Sequence, residues 1–163
     1  MKKLLTSFLF CSVSILFMGC PYSSEVAIDA KPNVKADAAL IGSWEQRNSA
    51  DYTYKVTKDD DYIMSIDKIT KSSNDVTSYK AFISVVNNER FLNVWEKDAS
   101  TPSYYFYKIA KGETESLLTL MSVTENIDEK FTSSDALKSF ISKNSNLSFF
   151  FEKEEDSYIK TGK

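Results

Sequence analysis

From Gly42 onward, apolar and aromatic side chains recur at every second position, in runs separated by clusters of Asn, Asp and Ser. A period of two marks a half-buried β-strand. A helix would repeat its apolar face every three or four residues. Trp44 and Gln46 share a face of the first run. Tyr52, Tyr54 and Val56 alternate with Thr53, Lys55 and Thr57. A third strand is expected over 62–70, and the longest over 76–86. Phe91, Asn93 and Trp95 alternate with Leu92, Val94 and Glu96. Residues 104–107 carry aromatics on both faces, and 117–123 are apolar on both sides in the middle. The breaks fall at Asn48-Ser49-Ala50-Asp51, Lys58-Asp59-Asp60-Asp61, Ser72-Ser73-Asn74-Asp75, Asn87-Asn88, Ala99-Ser100-Thr101-Pro102 and Lys111-Gly112-Glu113. Glycine is scarce, so Asn, which tolerates positive φ, stands in for it. Short strands joined by tight turns predict an antiparallel up-and-down meander that closes or nearly closes, because closure removes the exposed edges.

The period then changes. Thr132-Ser133-Ser134-Asp135 has the spacing of a capping box, Leu137, Phe140 and Ile141 follow at helical spacing, and Asn144 and Asn146 supply a stop. One helix of about three turns is predicted, with its single apolar stripe against the sheet. After it, 147–151 reads as a strand, 152–156 as an acidic turn, and Tyr158-Ile159 as a short last strand able to close the sheet against the first. The predicted class is all-β with one helix: a barrel of about eight antiparallel strands, with the helix before the last strands.

The N-terminus belongs to a different grammar. Met1-Lys2-Lys3 is basic and 4–17 is an apolar stretch too short to span a bilayer. Phe17-Met18-Gly19-Cys20 then resembles a bacterial lipobox, with Phe17 where leucine is usual. The resemblance implies a signal peptide over 1–19, lipidation of Cys20, and a membrane anchor there. Pro21 follows the cysteine in place of the aspartate that signals inner-membrane retention. By resemblance this implies the outer membrane of the cell envelope, on either its periplasmic or its surface face. Residues 20–39, with Pro21, Pro32, serines, charges and no sustained period, read as a tether that lets a domain over 40–163 stand away from the membrane. A short helical turn is expected within 36–41.

Gly42-Ser43-Trp44 at the head of the first strand, the meander after it and the late helix together resemble the lipocalin-like (calycin) group. The whole chain is similar to the small lipoproteins of Bacteroidetes-type envelopes that carry such domains. In that group the tryptophan closes one end of the barrel under a basic residue from the last strand. The resemblance therefore implies barrel-closing roles for Gly42 and Trp44. The only arginines are Arg47 and Arg90, neither in the last strand, so the aliphatic stem of Lys153 or Lys160 is the expected substitute.

Composition excludes much chemistry. The chain has no histidine, which removes the commonest general base and the commonest ligand for zinc, copper and haem. Of two cysteines, Cys11 leaves with the signal and Cys20 carries lipid, so no thiol or disulfide is expected in the domain. The net charge of −3 becomes more acidic once Lys2 and Lys3 leave, and no basic block suggests nucleic acid. Asp59-Asp60-Asp61 and the acids at 152, 154, 155 and 156 read as solvated turns, so no metal site, cofactor or enzymatic activity is expected.

The aromatics remain. Tyr54, Trp95, Tyr105 and Tyr107 are the candidates to line an interior that holds a small hydrophobic ligand; the plainer reading makes them core and cross-strand pairs. The expected function is a lipid-anchored, non-catalytic binding protein of the envelope. The alternative is a protein-interaction module, an inhibitor or assembly accessory acting through barrel loops or an exposed aromatic patch on another envelope protein.

Overall fold

A computed structural model of the chain describes residues 21–111, 116–153 and 155–162, with the Lys111 side chain left aside. The expected signal peptide over 1–19, Cys20 and the turn expected at Gly112-Glu113 lie outside the described residues. The strands are β1 (Ser23–Ser24), β2 (Gly42–Gln46), β3 (Tyr52–Lys58), β4 (Ile63–Thr70), β5 (Val76–Val86), β6 (Glu89–Glu96), β7 (Tyr104–Lys111), β8 (Leu117–Ser122) and β9 (Asp156–Gly162). The helix, α1, is Ser134–Asn144. Strands β2 to β8 pair antiparallel in chain order, and β9 pairs with both β8 and β2. The sheet thus closes into an eight-stranded barrel. Strand β1 is extra: it takes the edge of β7 at Tyr104 and Tyr105, where β8 has stopped.

The turns follow the predicted chemistry. Asn87 and Asn88 hold φ of 51° and 64° in the two-residue link from β5 to β6, and Asn74 holds 60°. Paired positive φ matches the twist of a hairpin. Asp60 Oδ1 accepts from the amides of Tyr62 and Ile63 at 2.7 Å each, and this fixes the turn into β4. Its neighbours point elsewhere: Asp59 pairs with Lys80, and Asp61 with Lys58 at 2.6 Å.

Closure happens at one point. Gly42 has φ of 136°, and a Cβ there would sit 2.5 Å from the Gly162 carbonyl oxygen and 2.7 Å from Lys160 Cε. Only a residue without a side chain lets the last strand come this close to the first. Just inside, Trp44 is 3% exposed and its indole N–H donates to the Leu40 carbonyl at 2.9 Å. That carbonyl lies at the end of a 3₁₀ turn over Ala38–Leu40, within the span where a helical turn was expected. Lys160 supplies the basic cover: its Nζ lies 5.2 Å from the Trp44 ring centroid and donates to the Ala39 carbonyl at 3.0 Å.

Because side chains alternate across a strand, the barrel has an inner and an outer core. Leu40, Met64, Ala81, Ile83 and Leu92 form the inner one. Phe91, Phe106 and Val86 face the other way and are covered by α1, by Phe150 and Phe151, and by the N-terminal segment. Helix α1 buries Leu137 and Ile141 as predicted. Its N-cap is Ser133, whose Oγ accepts from the Ala136 amide at 3.3 Å. The capping residue is therefore one place later than Thr132, because the chain enters the helix from extended backbone at Ser133.

Three expectations need correction. Residues 21–39 do not form a free tether. Tyr22 and Ile28 are buried in the outer core, the Ile28 amide donates to Asn93 Oδ1 at 2.8 Å, and Lys138 holds Asp29 at 2.6 Å. Residues 147–151 are turns with a single bridge from Phe151 to Val123. Their aromatics are consecutive, and Phe150 and Phe151 both turn inward to cover the outer core, which an alternating strand does not allow. The last strand begins at Asp156 rather than Tyr158, so Asp156 belongs to the barrel wall and not to an acidic turn.

Candidate ligand cavity

The barrel is not filled. A cavity of about 550 Å³ lies inside it, partly open to solvent. Strand register sorts its lining by height. At the closed end are Trp44, Leu40, Val56, Met64, Leu92 and Leu118; above them come Ile66, Val94 and Leu120. Polar groups appear only toward the other end. Tyr54 sits opposite Trp44, and Lys68 beyond it on β4. Gln46 faces Tyr158, and Asp156 faces Leu120. Tyr79 faces Glu96, Tyr105 faces Val94, and Tyr107 faces Ser122. Pro21 completes the mouth, carried there by the pairing of β1 with β7.

Five tyrosines thus form a belt between an apolar floor and the mouth. Tyr54 and Tyr158 meet edge to face, with centroids 5.3 Å apart and planes at 89°. Gln46 Nε2 donates to Asp156 Oδ1 at 2.7 Å. Burial pushes the Tyr54 hydroxyl up to about 12, with the Asp156 carboxylate adding to the effect. Burial first and Asp156 second also raise Tyr107 and Tyr158. A hydrogen bond between Tyr54 and Tyr158 pulls the first down and the second further up. Tyr79 is raised by burial and then by Glu96. At neutral pH these hydroxyls stay protonated, so each is able to donate as well as accept.

The linkage has a definite sign. A tyrosine whose folded pKa exceeds its unfolded value of 10.0 keeps the native state fully favoured below pH 10. Above that, the unfolded chain releases protons that the native barrel retains, and stability falls as pH rises. Denaturation midpoints are expected to be flat from pH 8 to 9.5 and to drop from pH 10 toward 12. In ultraviolet titration of the folded protein, Tyr54, Tyr107 and Tyr158 should ionise above the ordinary phenol range. Ionisation of these three at the ordinary value would contradict their burial.

Of the four aromatics singled out by sequence, Tyr54, Tyr105 and Tyr107 are brought together in the cavity. Trp95 is not. It lies on the opposite face of β6, 6.1 Å from Phe82 and 5.5 Å from Tyr104 by ring centroids. The alternation of Trp95 with Glu96 and Val94, which do face the cavity, carries that information. Gln46, Tyr79, Asp156 and Tyr158 were missed as site residues. For the last two the signal was the shared face of Asp156, Tyr158 and Lys160 in the closing strand.

The lining holds hydroxyls, one amide and a few charges, and the chain has no histidine to serve as a proton shuttle. Among the described residues no group of three or more Asp, Glu or Cys is placed to hold a metal ion, and no helix is long and apolar enough to cross a membrane. Fold and site together define a small antiparallel barrel with a ligand-sized, tyrosine-belted interior. No family model, curated protein or solved structure matches the chain.

Proposed function

We propose that this protein is a lipid-anchored, non-catalytic binding protein of the cell envelope that holds one small hydrophobic ligand in its barrel, in the manner of the calycin group it resembles. The observation that carries the reading is the cavity of about 550 Å³, apolar below and hydroxyl-lined above. Sites for small ligands span about 300–1,000 Å³ and combine mostly apolar walls with a few placed polar groups. The lipobox-like run ending at Cys20 supports the anchor. Pro21 lines the mouth, and consecutive Cα atoms lie about 3.8 Å apart. A lipid on Cys20 therefore places the mouth beside the bilayer, from which an apolar ligand is able to pass without crossing water. The outer membrane remains the proposed location, on the same Pro21 signal.

Native mass spectrometry of the full-length protein from membrane extracts tests the reading. One small apolar molecule per chain is expected. Leu120→Trp, which drives an indole into the cavity, should lose that adduct while keeping its denaturation midpoint within about 1 kcal/mol, since the space is available. A bare chain in both proteins would overturn the ligand. Incorporation of labelled fatty acid should vanish in Cys20→Ala; undiminished labelling would overturn the anchor. The interaction-module alternative has less to draw on: Leu147 and Phe149 are exposed after α1, but they make only a small patch.

A further inference from the structure

The distribution of charge in the cavity says which head group a ligand carries. Among the described residues, the polar groups of the lining lie toward the mouth, so an amphiphile enters tail first, with its chain on Trp44 and its head in the tyrosine belt. Among the described residues, the charges at that level are two carboxylates, Asp156 and Glu96, against one ammonium, Lys68. Lys68 Nζ lies 4.0 Å from the centroid of the Tyr52 ring and keeps its charge there, so the carboxylates outnumber it two to one. Lys160 is at the far end, bonded to the Ala39 carbonyl under Trp44. Arg90 is turned to Asp37 at 2.8 Å, and neither arginine of the chain lines the cavity. A bound anion would therefore meet two carboxylates, one ammonium and neutral phenols, a net repulsion in a site of lowered dielectric, where like charges repel more strongly than in water. A hydroxyl would find donors and acceptors together in the tyrosines, Gln46 and Asp156. An ammonium would add attraction to the carboxylates and to the ring faces.

Resting on the reading of the barrel as a ligand container, we propose that the cavity takes a single amphiphile with an uncharged or cationic head and discriminates against the anionic head of a fatty acid. Asp156 is the specificity-determining residue and Glu96 reinforces it. The hydroxyls of Tyr54, Tyr79, Tyr107 and Tyr158 stay protonated through neutral pH, so they do not themselves add negative charge.

The chain has two tryptophans, and Trp95 lies outside the cavity, so Trp95→Phe leaves Trp44 as the only tryptophan and a reporter on the floor. The full-length Trp95→Phe protein is titrated with dodecan-1-ol, dodecylamine and dodecanoate at pH 7.5, following Trp44 emission. The alcohol and the amine are expected to bind saturably, and dodecanoate at least about tenfold more weakly. Adding Asp156→Asn should narrow that gap severalfold by improving dodecanoate while leaving the alcohol nearly unchanged. Glu96→Gln, nearer solvent, gives a smaller change in the same direction and serves if Asp156→Asn fails to fold. Dodecanoate binding as tightly as the alcohol, or a gap that neither substitution moves, overturns the head-group selectivity while leaving the container intact. No saturable binding of any of the three overturns both.

Discussion

Trp44→Ala is expected to destabilise the protein by about 3–5 kcal/mol, the range for deleting a large buried aromatic. The indole is almost fully buried, its N–H is bonded to the Leu40 carbonyl, and Lys160 lies over its ring. Truncation enlarges a cavity that already exists, strands a buried carbonyl and leaves Lys160 without the surface it covers. The neighbouring backbone is pinned by the close approach of Gly42 to Gly162, so collapse into the gap is restricted. Trp44→Phe keeps most of the apolar surface and loses the hydrogen bond; about 1–2 kcal/mol is expected. With total stabilities of about 5–15 kcal/mol for single domains, the alanine variant should be substantially unfolded in moderate urea where the parent is native. Urea denaturation checks the order. A midpoint for Trp44→Ala equal to that of the parent would mean that the indole does not close the barrel.

Ile28→Ala should cost about 2–4 kcal/mol, although its residue lies in a stretch that reads as a spacer. Its side chain is fully buried in the outer core with Phe91, Phe106, Leu137 and Ile141. Its amide is the partner of Asn93 Oδ1, and Asn93 also donates to Ser84 Oγ at 2.9 Å. The substitution keeps that hydrogen bond and removes only packing, so the loss reports directly on whether the segment belongs to the core. Glu25→Ala and Lys31→Ala, a few residues away and exposed, should change the midpoint by no more than about 0.5 kcal/mol. Equal, negligible effects at all three positions would restore the tether.

These two residues also mark where the sequence was legible. Trp44 stands at the head of a period-two run, and both period and turn chemistry are local properties. The strands, the Asn87-Asn88 hairpin and the single helix could therefore be read from neighbours alone, and the closure of last strand on first followed from the need to cover exposed edges. Ile28 stands in a short apolar cluster without a period. Its partners, Asn93 and the helix, are more than sixty residues away, and no local pattern announces them. Asp156 failed for the opposite reason: its neighbours at 152–155 are strongly acidic and suggested a solvated turn, which hid the alternation running on to Tyr158 and Lys160. Trp95 was chosen for its aromatic character over its position in the alternation, and the alternation decided its face.

The most direct test of a ligand-holding barrel is a crystal structure of the full-length protein grown with dodecan-1-ol. Predicted is continuous density for the alkyl chain from the face of Trp44 up to the belt, with the hydroxyl within hydrogen-bonding distance of Asp156, Gln46 or a belt tyrosine. An interior occupied by rotated side chains or by water alone, with the alcohol absent or bound elsewhere on the surface, would contradict it.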